Sequence, residues 1–187
     1  MKSALVLAPA PVRAIGLLVA AVALEWARVL ALRVPEWQVP VLLAGGLALC
    51  VLAVGWSPAE LGLGWSRLPG RLLGGAALAA VLLLPAAVRW GGGPVLAPPF
   101  ALAAVAVSVG EEVAFRGALF AALDRAYGPA AAVVGSTAAW TAAHALSHPL
   151  PFLPAVAAAG LLLGLWRWAM RDLVGPIVGH AIADLAL

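Results

Sequence analysis

Apolar residues come in long runs along this chain, at about 14–34, 38–56, 71–89, 100–123, 129–147, 152–169 and 174–187. A helix rises ~1.5 Å per residue, so ~20 apolar residues cross the hydrocarbon core of a bilayer. Seven such runs predict an all-α fold, a polytopic transmembrane bundle of about seven helices. The breaks between them carry Pro or Gly, as in Ser57-Pro58-Ala59-Glu60, Tyr127-Gly128-Pro129 and His148-Pro149-Leu150-Pro151. Both residues end helices or begin the next one. The last run has only twelve residues from Pro176 onward, too few to span a bilayer alone. Stretch 57–70, with Trp65 and Arg67 among Leu and Gly and with Trp56 just before it, reads as an interfacial connection.

Composition narrows the class further. Of 187 residues 65% are hydrophobic and 10% charged, and the mean hydropathy is +1.07, which excludes a soluble globular protein. The net charge of +3 is scattered rather than gathered into a basic stripe, so nucleic acid is not an expected partner. A single cysteine, Cys50, lies inside an apolar run and forms neither a disulfide framework nor a cysteine metal site. Counting alternate connections puts Lys2, Arg13, Arg67, Arg71, Arg125, Arg167 and Arg171 on one side, against Arg28, Arg33 and Arg89 on the other. That bias predicts a cytoplasmic N-terminus, with the first run a retained anchor rather than a cleaved signal peptide. No repeat or low-complexity tail interrupts the chain, so residues 1–187 read as a single integral membrane domain. The paired glycines Gly45-Gly46 and Gly74-Gly75 suit close helix contacts.

Ionisable groups inside apolar spans are costly, at ~2.5–3.5 kcal/mol for an Asp or Arg at a helix centre even on an insertion-based scale. Arg28, Arg33, Arg89, Arg125, Arg167 and Arg171 lie near span ends and are expected to snorkel to the interface, and Glu25 is expected to pair with Arg28 in a structural role. Six groups remain: Glu111, Glu112, Arg116, His144, His180 and Asp184. The two glutamates sit in mid-span and point ~100° apart on a helix. Arg116 follows Glu112 by four residues, a same-face acid-base pair. Glu111 is left without a local counter-charge, which raises its proton affinity and suits it to take a proton from water. His180 and Asp184 share a helical face, whereas His148, in a loop, reads as a bystander.

Two glutamates followed by Arg116 on one span, Trp140 and then His144 on the next, and His180 followed by Asp184 on a late span resemble the CPBP family of intramembrane proteases. That family contains the CAAX prenyl endopeptidases of the Rce1 type and the bacterial Abi proteins. The resemblance covers residues 100–187 and marks them as the protease core. It implies peptide-bond hydrolysis within the membrane, with Glu111 as general base on a water that His144 helps to hold. It also implies that His180 and Asp184 sit where the oxyanion is stabilised, and that Glu112, Arg116 and Trp140 support the site. Two positions depart from the family pattern, which commonly has Phe at Trp140 and Asn at Asp184. An ionised Asp accepts hydrogen bonds and cannot donate one, so Asp184 is expected to orient His180 and leave His180 as the donor.

The expected mechanism is metal-free and needs no cofactor. If a divalent metal such as zinc takes part, Glu111, His144 and His180 are the ligands to consider, although the chain lacks the paired-histidine spacing of helical zinc proteases. The expected partners are membrane lipids and a hydrophobic peptide or membrane-protein substrate. A non-catalytic immunity or scaffold protein of the same fold is the alternative. An Ala-, Arg- and Trp-rich chain with one Lys points to a bacterial inner, or cytoplasmic, membrane.

Overall fold

The computed structural model describes residues 9–64, 66–87 and 96–186. Eight helices account for most of them: α1 (Ala10–Ala31), α2 (Gln38–Val51), the short α3 (Pro58–Leu61), α4 (Leu68–Ala87), α5 (Pro98–Tyr127), α6 (Pro129–Ala143), α7 (Leu153–Met170) and α8 (Val174–Ala186). Each long helix falls on one of the seven apolar runs, so the expected helical membrane bundle is the observed one. Pro stands in the first turn of α1, α3, α5, α6 and α7, where its missing N–H costs nothing. Lys2, Trp65 and Arg89 lie outside the described residues.

Among the described residues, α1, α5 and the stretch Leu150–Met170 are the helices long and apolar enough to cross a bilayer unaided. The 14 residues of α2, 15 of α6 and 13 of α8 make helices of only ~20 Å. With helices this short, His144, near the end of its run, and His180, near the start of its own, both reach the level of Glu111 and Glu112. The fifth run stops being α-helical at Ala143, where a 3₁₀ turn over His144–Leu146 takes over.

The partition of side chains is that of a membrane protein. Val12, Ile15, Val19, Leu47, Leu73 and Leu102 point outward, while Glu25, Ser108, Glu111, Glu112, Arg116 and His180 are buried. Polar groups that lipid would not tolerate are collected inside, where they can meet one another. α5 is the centre of the bundle: its first half packs on α2 and α8, and its second half on α1 and α6, while α4 pairs with α8 and α6 with α7. Bare backbones allow the closest of these approaches. A side chain on Gly110 of α5 would collide with the backbone of Gly46 on α2, and one on Gly75 of α4 with Val178 on α8. The glycine pairs thus work within the chain.

Stretch 57–64 is docked onto the bundle rather than lying free along an interface. Ser57 caps α3, exchanging hydrogen bonds with Glu60 at 2.6 and 3.3 Å. Trp56 and Leu61 are buried, and the Gly62 carbonyl accepts from Leu173 N–H at 3.0 Å.

Candidate active site

α5 carries both glutamates at a change of helix type. α-Helical geometry ends at Glu111, and a π-helical stretch covers Glu112–Leu119 before α-helix resumes at Phe120. The regular 100° spacing expected beyond Glu111 therefore does not hold. π segments are rare and recur at functional sites because they re-aim side chains. Every residue from Gly110 to Leu123 is buried.

Glu112 is bound on one oxygen from two sides. Its Oε1 accepts from Arg116 Nη1 at 2.9 Å, as the spacing predicts, and faces His180 Nδ1 at 2.9 Å. Arg116 is fully buried, with its guanidinium 4.3 Å above the Trp140 ring. Gly160 of α7 makes the room, since a Cβ there would stand 2.9 Å from Trp140 and 3.2 Å from Arg116.

Glu111 turns toward α6 and α1. Its Oε2 accepts from Trp140 Nε1 at 2.6 Å and lies 3.7 Å from His144 Nε2. His144 Nδ1 is 2.9 Å from the Trp140 carbonyl, which can only accept. In the neutral ring that bond leaves the lone pair on Nε2, facing Glu111. The 3.7 Å gap is too long for a direct hydrogen bond and fits a bridging water. Trp140 stands between the two histidines, with centroid distances of 4.5 Å to His144 and 5.6 Å to His180.

His180 has a carboxylate at each nitrogen: Glu112 at Nδ1, and Asp184 Oδ2 at 3.5 Å from Nε2. The Ser108 hydroxyl lies 2.7 Å from the same Asp184 oxygen, so that oxygen has a closer partner than His180. His148 stacks on Phe152 at 5.2 Å, away from both glutamates, and its ring is 5.3 Å from that of His144.

Two expectations about charge are corrected. Glu111 has a counter-charge, supplied by another helix: Arg28 Nη2 of α1 is 3.2 Å from its Oε1. Arg28 does pair with Glu25, but it does not snorkel; its side chain is 11% exposed and turned inward. Arg167 is likewise buried, donating to the Arg116 carbonyl at 3.1 Å and the Glu60 carbonyl at 2.8 Å. Position near a run's end suggests an interface, but these arginines are long enough to turn the other way and satisfy backbone or carboxylate oxygens. The one sequence signal for Arg28 was Glu25, a carboxylate well inside an apolar run.

Glu111, His144 and His180 do not come together as a metal-binding set. Among the described residues no group of three or more His, Cys, Asp or Glu side chains is arranged to hold a metal ion. The reason is local: the ring nitrogens of His180 face Glu112 and Asp184, and the Glu111 oxygens are engaged by Trp140 and Arg28.

The sequence model of a family described as Type II CAAX prenyl endopeptidase Rce1-like matches residues 93–186. That segment holds α5 to α8 and all seven of Glu111, Glu112, Arg116, Trp140, His144, His180 and Asp184. No curated protein and no solved structure matches the chain.

Proposed function

The chain belongs to the type II CAAX prenyl endopeptidase Rce1-like family, a family of proteases, and it is built as a membrane-integral helical bundle; from that premise we propose that it hydrolyses a peptide bond of a hydrophobic or lipid-anchored peptide, with Glu111 as general base. The observation that carries the reading is the gap between Glu111 Oε2 and His144 Nε2, 3.7 Å wide and bounded by two acceptors. A water there donates one O–H to each, and its oxygen lone pairs point away from both.

The chemistry follows in order. A peptide carbonyl enters beside this water, the water oxygen bonds to the carbonyl carbon, and the water proton passes to Glu111. The carbonyl oxygen takes up the negative charge. Donors preset for such a charge supply the largest single contribution to amide hydrolysis. His180 fills this role as an imidazolium, with Nδ1–H donated to Glu112 and Nε2–H left for the oxyanion, since its contact with Asp184 is long at 3.5 Å and that oxygen already has Ser108 at 2.7 Å. Glu112 and Arg116 hold the other face of His180. Collapse breaks the C–N bond, and the proton on Glu111 goes to the leaving amine. No step needs a metal ion or a cofactor. Residues 96–186 supply every group in this sequence, and the whole chain acts as one membrane domain in a bacterial cytoplasmic membrane.

The test is cleavage of internally quenched peptides, some farnesylated, by the purified protein in detergent, with and without a chelator. Glu111→Gln is expected to lower kcat/KM by at least about 10²-fold, the usual contribution of a general base, and the chelator to change nothing. A Glu111→Gln variant as active as wild type would sink the reading. So would a wild type that cuts nothing and whose cellular role survives Glu111→Gln, an outcome that favours the immunity or scaffold alternative.

A further inference from the structure

α1 lies outside residues 93–186 and yet sends Arg28 to Glu111, with Glu25 bound behind it. Glu25 is 1% exposed on a helix whose other face meets lipid. A buried carboxylate is retained only where something binds it, and Arg28 does so through both Nε, at 3.1 Å, and Nη2. The same Nη2 is 3.2 Å from Glu111 Oε1. One guanidinium nitrogen therefore links a carboxylate of α1 to the carboxylate of α5, and Glu25 Oε1 is left with no partner.

A second observation concerns α2. A Cβ on Gly45 would stand 2.5 Å from Arg28 Cδ and 2.9 Å from Cγ, so the guanidinium reaches Glu111 only across bare backbone. Arg28 also walls a cleft of about 420 Å³ with Leu32 and Arg33, just past the end of α1, and with Leu146 and Ser147 beyond His144. The cleft and the glutamate thus meet at one side chain.

We propose that Glu25 and Arg28 are positioning residues: Glu25 fixes the Arg28 guanidinium, and Arg28 holds Glu111 Oε1 so that Oε2 stays turned to His144. This rests on the reading of Glu111 as the base. Neither residue takes the proton. With Trp140 holding Oε2 and Arg28 holding Oε1, the carboxylate plane is fixed at both ends. Loss of either tether lets the base rotate off the water, and displacements of ~1 Å cost about 10²-fold in rate.

The experiment is steady-state cleavage of a farnesylated quenched peptide by the full-length protein in detergent, with kcat and KM separated. Arg28→Gln is expected to lower kcat about 10–100-fold with KM within about twofold, and Arg28→Lys to recover part of the loss. Glu25→Gln lowers kcat in the same way but less. Gly45→Ala displaces the guanidinium without removing a charge, and it carries the test if Arg28→Gln fails to fold, judged by a monodisperse elution profile and a melting temperature near wild type. Equal kcat in wild type, Arg28→Gln and Gly45→Ala would overturn the proposal, as would a rise in KM alone. An inactive Glu111→Gln beside a fully active Arg28→Gln removes the tether and leaves the base; a fully active Glu111→Gln removes the base itself.

Discussion

At the residue scale, the two adjacent glutamates are built for different work, and the difference is measurable. Glu112 Oε1 is held by Arg116 and His180 with no exposure to solvent. Removing one member of a buried pair strands the other charge, at about 3–5 kcal/mol. Glu112→Leu is therefore expected to lower the melting temperature sharply, whereas Glu111→Gln leaves it near wild type and removes activity. Thermal unfolding in detergent, run beside the peptide assay, separates the two. Trp140 gives a finer case, because Trp140→Phe keeps an aromatic ring near the histidines, removes the N–H that Glu111 accepts at 2.6 Å and trims the buried ring beneath Arg116. A fall in kcat of about tenfold or more is expected, the scale of one hydrogen bond to a charged group, together with a modest drop in melting temperature from the space left behind. The residues of this cluster were legible in the sequence because a carboxylate or histidine in an apolar run is costly and persists only where a partner or a reaction holds it. Arg28 was not, since its partner across the bundle is 83 positions away and only tertiary packing brings them together.

At the element scale, helix identity was read correctly from run length and Pro and Gly punctuation, and helix ends were not. The change from α to π geometry at Glu112 left no mark in the pattern of residue types. Small residues did leave one, and they set the spacing around the site. Gly160→Val is expected to push Trp140 and Arg116 aside and to cut activity at least about tenfold while the bundle still forms. The capped helix α3 offers a test by pH. The Ser57 backbone N–H, first, and then its hydroxyl and Arg125 hold the Glu60 carboxyl down to about 2, from an ordinary value of 4.5. A depressed carboxylate adds stability that is fully present above its unfolded value and is lost as pH falls toward the folded one. The melting-temperature deficit of Glu60→Gln should therefore be constant above pH ~5 and shrink between about 4.5 and 2. Half-exposed Arg125 and solvent screening keep the effect small, below about 1 kcal/mol.

At the scale of the whole molecule, the arginines sort the bundle into two ends. Arg13 and Arg125 lie over the Trp56 ring at 3.8 and 4.6 Å, Arg125 also pairs with Glu60, Arg167 donates to the Glu60 carbonyl, and Arg71 pairs with Asp172 at 3.3 Å. Four of the basic residues counted on one side, Arg13, Arg71, Arg125 and Arg167, thus meet around the connection 56–64. Arg28 lies fifteen residues beyond Arg13 on α1, ~22 Å along the axis, with His144 and the cleft beside it. If the arginine-rich end faces the cytoplasm, as excess Lys and Arg in loops dictates, the cleft opens toward the opposite side of the membrane. In a Cys50→Ala background, Ser147→Cys should then react with a membrane-impermeant maleimide in spheroplasts, and Ser66→Cys only in inverted vesicles. The reverse pattern would turn the molecule over and bring peptides to Glu111 from the cytoplasm, so the labelling result decides on which side of the membrane a substrate must present its scissile bond.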